Sequence, residues 1–291
     1  MRAVFQLLSA MVLLVAVSCA DDPSESSAHQ AVLSANRLSA NRLSANRLSA
    51  NRLSANRLSA NRLTVNLNAT GNLLSTEEGR ELFSFVVSCA LPSDIFLEAT
   101  VGGTTFEFFG EIGLVPSWLF HPLTAEGKGW ISACLFAHVS LGDVSVPISL
   151  RGPNRALAQT PDERDFTVEE GAFYGNLFTP LDQPIDWIAC RGEGQASGEF
   201  GGLTDRDCTE PDPANPGLTK CGFNFAGDCG TFSAEPTCEQ FSETGQFYRR
   251  CHAGPIDDER HHDHAHHRNC GRPPDRDDRV FQQVITTYVL P

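Results

Sequence analysis

Ser75-Thr-Glu-Glu78-Gly-Arg-Glu-Leu-Phe-Ser-Phe-Val-Val-Ser-Cys89-Ala90 is the stretch that decides the fold. Ser75 and Glu78 have the spacing of a capping box, in which each side chain accepts a hydrogen bond from the other residue's backbone N–H. The apolar residues that follow recur at helical spacing: Leu82, Phe83, Val86, Val87, Cys89 and Ala90. We therefore predict a helix that begins at Ser75 and buries one face.

The segment after this helix alternates apolar residues with polar ones. The apolar positions are Ile95, Leu97, Ala99, Val101, Phe106 and Phe108, and Gly102–Gly103 divides them. Alternation on both sides of two glycines predicts a β-hairpin with a two-residue loop.

A second helix is predicted from Trp130 to Val139, and it is apolar on all sides and therefore buried. Gly142–Asp143 ends it. The alternating residues from Val144 to Leu150 then predict a strand that stops at Gly152–Pro153. Helix, hairpin, helix and strand in this order indicate the α+β class, and we place this core at residues 64–190.

Residues 191–278 form a cysteine-rich, loop-rich segment with few aliphatic side chains. Such a segment buries too little apolar surface to fold alone, so disulfides of roughly 2–4 kcal/mol each are expected to stabilise it. Residues 279–291 are β-branched and aromatic. They predict a strand that returns to the core, which makes 191–278 an insertion.

Nine cysteines follow residue 19, and no two of them form a C-x-x-C pair. The disulfide candidates are Cys89, Cys134, Cys190, Cys208, Cys221, Cys229, Cys238, Cys251 and Cys270. Cys89 and Cys134 lie on the two buried helices and are the favoured partners. Because nine is odd, one thiol is left over after pairing or pairs between molecules. The alternative for Cys134 is a nucleophile paired with His138, four residues on, although a disulfide beside a core histidine fits an oxidising compartment better.

The N-terminus indicates export. Residues 1–18 combine Arg2 with an apolar run that is too short to span a bilayer, as in a signal peptide. Ala16-Val-Ser-Cys19 resembles the bacterial lipobox, although Ala16 stands where Leu is usual, so Cys19 is the predicted lipidation site. The alternative is a conventional signal peptide that is cut near Ala20.

Residues 19–63 contain the perfect repeat Leu-Ser-Ala-Asn-Arg from Leu33 to Leu63. A period of five scatters the leucines around a helix and alternates them across a strand, so neither geometry gives a buried stripe. We predict a tether between membrane and body. The alternative is a pentapeptide-repeat β-helix, but six units are few and Asn36 stands where that family has a small residue.

The body is acidic. After Leu63 there are 15 Lys and Arg against 33 Asp and Glu, a net charge of −18, whereas the repeat carries six arginines. An acidic surface repels phosphate backbones, so the body is not expected to bind nucleic acid. Cationic partners and divalent ions remain compatible with it.

Residues 260–268 are rich in histidine. His261, His262, His264, His266 and His267 are the candidate metal ligands, and neutral imidazoles bind Zn²⁺, Cu²⁺ or Ni²⁺. The alternative is a solvated loop without a cofactor. No catalytic residue is predicted, because the chain lacks G-x-S-x-G, H-E-x-x-H and the Walker lysine pattern. Gly192-Glu-Gly194 departs from a dinucleotide loop and is interpreted as a flexible turn.

Several motifs between Leu82 and His252 are similar to those of a family of uncharacterised lipoproteins from soil delta-proteobacteria. They are Val87–Pro92, Gly110–Leu114, Trp130–Leu135, Glu170–Phe178, Cys221–Cys229 and Phe247–His252. The resemblance implies a body carried behind a short-period repeat, and it implies no activity.

We therefore expect an exported, lipid-anchored protein of the cell envelope, at the outer membrane or cell surface. Its disulfide-stabilised domain would bind or adhere to a protein or glycan ligand. The alternatives are a metal-binding protein that uses the histidine-rich loop and an exported enzyme without a recognisable motif.

Overall fold

The computed structural model describes residues 74–140, 146–158, 163–178, 186–196, 208–230, 234, 236–240, 246–254 and 279–291. It also describes the backbone of residues 33–36 and 38–39. For these residues, and for residues 78, 196 and 240 within the ranges above, the backbone alone is described. These residues form an α+β fold with several sheets, which confirms the fold class predicted from the sequence.

Helix α1 covers Glu77–Ala90 and buries one face in the core. Its N-cap is Thr76, whose hydroxyl accepts a hydrogen bond of 3.0 Å from the N–H of Gly79. The predicted cap at Ser75 is therefore wrong by one residue. The sequence allows this shift because threonine, like serine, is a favoured capping residue.

Strands β3 (Phe96–Val101) and β4 (Thr104–Phe109) form the predicted hairpin. Gly102 and Gly103 make its two-residue loop, and both have positive φ, at 59° and 84°. Residues without a β-carbon adopt this left-handed conformation at little cost, which explains the glycine pair. The hairpin packs on α1, where Phe83 meets Phe108 edge to face at 4.8 Å.

Helix α2 covers Ala125–Ala137, and all its residues from Gly129 onward are buried. It begins five residues before the predicted start, because Thr124 caps it by accepting from the N–H of Gly127 at 3.0 Å. It also ends earlier than predicted, since Val139–Ser140 form strand β5. A disulfide between Cys89 and Cys134 joins the two helices, as expected.

The main sheet has six strands in the order β1-β6-β13-β7-β8-β9. Their bounds are Leu33–Asn36 (β1), Val146–Arg151 (β6), Val284–Val289 (β13), Val168–Asn176 (β7), Asp186–Arg191 (β8) and Asn224–Asp228 (β9). All neighbours are antiparallel except β8 and β9. Every residue of β13 is buried, because this strand from the end of the described chain occupies the middle of the sheet.

The first two repeat units reach this body. Strand β1 pairs with β6, and β2 (Leu38–Ser39) pairs in parallel with β5. The backbone is thus extended and hydrogen-bonded at 33–36 and 38–39, in contrast to a free tether at these residues. Backbone pairing explains the difference, because it does not require a buried stripe of side chains. Residues 40–63 lie outside the described part of the chain.

The cysteine-rich segment covers the second face of the main sheet. Strands β10 (Cys238–Gln240), β11 (Tyr248–His252) and β12 (Val280–Phe281) form a three-stranded antiparallel sheet there. Three further disulfides stabilise the segment: Cys190–Cys229, Cys208–Cys221 and Cys238–Cys251. Four disulfides are typical of an extracellular or envelope protein. No helix in the described ranges is long and apolar enough to cross a membrane.

Candidate functional site

A groove with a volume of about 440 Å³ lies where helix α2 meets the cysteine-rich segment. Glu126 and Trp130 belong to α2, and Arg249 and Arg250 belong to β11. The full lining is Glu126, Trp130, Pro153, Arg249, Arg250, Gln282 and Gln283. Trp130 is only 5% exposed, so its indole serves as the floor of the groove and not as a projecting platform.

An irregularity in strand pairing brings both arginines to the groove. Glu239 pairs with Arg250 and Gln240 pairs with Tyr248, which leaves Arg249 as an extra residue on β11. A regular strand would send two successive side chains to opposite faces, but a β-bulge re-aims one of them. Tyr248 and Cys251 are buried on either side of the two exposed arginines.

The two arginines outnumber Glu126 in the groove lining, which gives the lining a net positive charge on an acidic body. The chain after Leu63 has a net charge of −18, yet Arg249 and Arg250 are consecutive and line the same concave surface. Arg250 forms an ion pair with Glu239, with 2.6 Å between Nη2 and Oε2. Because both side chains of this pair are partly exposed, water screens it, and a carboxylate ligand can compete with Glu239.

The amide wall of the groove depends on a glycine. A β-carbon at Gly129 would lie 2.8 Å from Oε1 and 3.0 Å from Cβ of Gln283. The absence of a side chain on α2 at this point therefore lets Gln283 pack directly against the helix. Gln282 and Gln283 present amide groups, which donate and accept hydrogen bonds as sugar hydroxyls do.

A buried polar cluster joins the sheet to the cysteine-rich segment. The carboxylate of Glu169 on β7 accepts hydrogen bonds from the hydroxyls of Tyr248 (2.8 Å) and Tyr288 (3.3 Å). The guanidinium carbon of Arg151 lies 3.7 Å from the ring centroid of Tyr288. Arg151 also donates to Ser149 Oγ at 3.1 Å and to the carbonyl of Phe166 at 2.6 Å.

Burial dominates the titration of this cluster. Loss of solvent raises the pKa of Glu169 above 4.5, although the two tyrosine hydrogen bonds act to lower it. The pKa values of Tyr248 and Tyr288 are also raised, first by burial and then by the charge of Glu169. Both tyrosines therefore remain protonated donors, and the cluster acts as a structural bridge between β11, β13 and β7.

The structure excludes the nucleophile alternative for Cys134. Its sulfur is bonded to Cys89, and His138 is fully buried with Nδ1 2.7 Å from the carbonyl oxygen of Cys134. Among the described residues, two groups have their potential donor atoms at metal-binding distances: Cys89, Cys134 and His138, and Cys190, Cys238 and Cys251. Their sulfurs are all in disulfides and so are not the thiolates that metal binding requires.

The interpretation of Gly192-Glu-Gly194 as a flexible turn is wrong. Residues Glu193–Ala196 form a short helix, α3. A β-carbon at Gly192 would lie 2.6 Å from the carbonyl carbon of Glu170, and one at Gly194 would lie 2.7 Å from the carbonyl oxygen of Glu169. These glycines are therefore required for close packing of α3 against β7.

Several predicted site residues lie outside the described residues. They are the lipidation site Cys19, the odd cysteine Cys270, and the metal candidates His261, His262, His264, His266 and His267. The lipidation and metal-site hypotheses stay predictions.

Sequence reasoning did not single out Arg249 and Arg250 as a site. The available signal was a pair of consecutive arginines within an acidic, cysteine-rich segment. The bulge that brings them together has no sequence signature of its own. Comparison with known proteins adds no assignment, since no family model, no curated protein and no solved structure matches this chain.

Proposed function

We propose that this protein is an exported, lipid-anchored binding protein of the cell envelope, and that its groove binds a carboxylate-bearing saccharide. The observation that carries the proposal is the pair Arg249 and Arg250 in a concave surface of an otherwise acidic body. The four disulfides support an oxidising location. The resemblance to repeat-tethered lipoproteins supports the anchor.

The chemistry of the lining selects this ligand class. Guanidinium groups recognise carboxylates through paired, charge-assisted hydrogen bonds. The amides of Gln282 and Gln283 suit hydroxyl groups, and Pro153 adds an apolar surface for a sugar ring. A neutral polysaccharide would offer the two arginines no carboxylate to bind.

The experiment is calorimetric titration of the purified chain with oligogalacturonate. Its methyl ester is the matched control, because esterification removes the charge and keeps the sugar. We expect binding of the acid form only, and a loss of tenfold or more in affinity in R249Q/R250Q, since a hydrogen bond to a charged group contributes about 1.5–3 kcal/mol. R164Q removes an exposed arginine elsewhere and should bind as wild type does. Equal binding of the ester, or full binding by R249Q/R250Q, would exclude the groove as the binding site for a carboxylate-bearing saccharide.

The anchor is tested separately by mass spectrometry of the mature protein. An acylated Cys19 at the N-terminus is the expected result. An unmodified N-terminus near Ala20 would remove the lipid anchor from the proposal and leave the groove unaffected.

The histidine-rich loop favours metal binding as a second function. Zn²⁺ is titrated against wild type and against a variant with His261, His262, His264, His266 and His267 changed to Ala. Weaker binding by the variant supports the metal site, and identical binding curves would exclude it.

A further inference from the structure

The outer face of the β3–β4 hairpin carries three cross-strand pairs. The strand register places Phe96 opposite Phe109, Glu98 opposite Glu107, and Thr100 opposite Thr105. These six residues, which we call the ribbon face, alternate with the residues that the hairpin buries against α1. All six are exposed to solvent.

One of these pairs leaves large apolar surface in water, and another places like charges together. Phe96 is 51% exposed and Phe109 is 57% exposed, and their ring centroids are 5.8 Å apart. Glu98 and Glu107 are like charges on directly opposed positions, an arrangement that destabilises a strand pair. Within the described residues no ion pair neutralises either carboxylate. Only the threonine pair is satisfied, through a hydrogen bond of 2.9 Å between the hydroxyls.

A partner that suits this face must bring an apolar side chain to the phenylalanines and a cation to the glutamates. Neighbouring outward positions on a strand are about 6.6 Å apart, within reach of an arginine and an adjacent apolar residue. A second copy of the ribbon face does not qualify, because it would bring two further carboxylates to the first two.

The chain itself contains such a sequence. Residues 43–62 comprise four Leu-Ser-Ala-Asn-Arg units, in which each arginine is followed by a leucine, and the repeat contains no acidic residue. The positive charge of the repeat is opposite to the negative charge of the ribbon face and of the acidic body.

The described chain resumes after the repeat at Leu74, which lies close to the hairpin. Arg80 of α1 donates a hydrogen bond of 3.0 Å to the carbonyl of Leu74, and its guanidinium lies 4.6 Å from the ring centroid of Phe106 on β4. The side chain of Arg80 thus contacts both the backbone of Leu74 and strand β4. Ten residues lie between Leu63 and Leu74, a length that spans up to about 36 Å. The last repeat unit can therefore reach the ribbon face of its own body.

We infer that the ribbon face is a docking surface for the Leu-Ser-Ala-Asn-Arg repeat of the same chain. An arginine lies between Glu98 and Glu107, and the leucine beside it covers Phe96 and Phe109. Docking holds the body close to the repeat at low ionic strength, and salt releases it, because exposed charge pairs are screened. The inference does not depend on the groove, which lies on other elements.

The experiment measures fluorescence anisotropy of a labelled peptide of four Leu-Ser-Ala-Asn-Arg units. The protein is the full chain in which the six repeat arginines are changed to glutamine, so that its own repeat no longer competes. Binding is expected, and 0.5 M salt is expected to weaken it. The conservative E98Q/E107Q change in the same chain should reduce affinity at least fivefold, and a peptide with Gln in place of Arg should not bind.

The unmodified chain provides the test of docking within one molecule. With an effective concentration of about 1 mM and a peptide Kd of about 0.1 mM, its own repeat would make peptide binding about tenfold weaker. Equal affinity of the two chains would overturn docking in the same molecule. Binding that is unchanged by E98Q/E107Q, or that is equal for the Arg and Gln peptides, would overturn the ribbon face as the surface.

Discussion

Glu169 is the residue through which the cysteine-rich segment is joined to the main sheet. It lies opposite Tyr288 on β13 and accepts from Tyr248 on β11, so one carboxylate contacts three elements. A register shift between Thr287 and Tyr288 makes this possible. Because of it, the next residue, Glu170, accepts from Thr287 at 2.7 Å, and two successive glutamates are bound by different partners.

The raised pKa of Glu169 predicts a pH dependence of stability. The folded state holds the proton of Glu169 more tightly than the unfolded state does. The contribution of Glu169 to stability is therefore full below its ordinary pKa near 4.5, and it is lost as the pH rises through its pKa in the folded state. The contribution of Glu169 to the free energy of unfolding in urea should therefore decrease with pH above about 4.5. In E169Q this decrease should be smaller. Parallel pH curves for the two proteins, with near-UV circular dichroism confirming that both fold, would contradict the assignment.

At the residue scale, one feature could be predicted from the sequence and another could not. The Cys89–Cys134 disulfide was predictable, because both residues lie on apolar helical faces that must share one core. The Arg249–Arg250 site was not, because it depends on one extra residue in β11 relative to β10. Strand register is decided by long-range pairing, and the residues of a bulge have no local sequence pattern that predicts the bulge.

At the scale of elements, the apolar periodicity predicted the positions of the helices and the hairpin well. It predicted the ends of the helices less accurately. Helix α1 and the β3–β4 hairpin lie where the pattern places them, because each has a clear apolar face and a glycine pair or a cap. Helix α2 was predicted too short at its start. Its first five residues include Gly127 and Gly129, which weaken the helical pattern, while the cap Thr124 compensates for them.

The capping residue of α1 can be tested directly. T76A should lower the free energy of unfolding by about 1 kcal/mol, because it removes the acceptor for the Gly79 N–H. S75A is the matched control one residue away and should have the smaller effect. Urea denaturation of both variants gives the comparison. A larger loss in S75A would restore the cap predicted from the sequence.

At the scale of the whole molecule, the disulfides differ in the length of chain that they close. The Cys89–Cys134 disulfide joins residues 45 apart, whereas Cys208–Cys221 joins residues 13 apart. In the chain-entropy model the longer loop contributes about 4 kcal/mol and the shorter about 3 kcal/mol. The first disulfide also links the two helices of the core.

Removal of each disulfide should therefore have a graded effect. The double variant C89A/C134A is expected to lose about 1 kcal/mol more stability than C208A/C221A. Urea unfolding of the two variants under identical conditions measures the difference. The opposite order would show that the cysteine-rich segment, and not the helical pair, limits the stability of the molecule.

The central position of β13 has a consequence for how the protein is made. Strands β6 and β7 cannot gain their shared neighbour until residue 289 has emerged, although β7 itself ends at residue 176. Until then each presents an open edge, which is the kind of surface that aggregates. If the chain is exported N-terminus first, as proposed above, it arrives unassembled on the far side of the membrane, where a chaperone that binds open strand edges would protect it. Such distant pairing also makes folding slow, on the order of milliseconds to seconds.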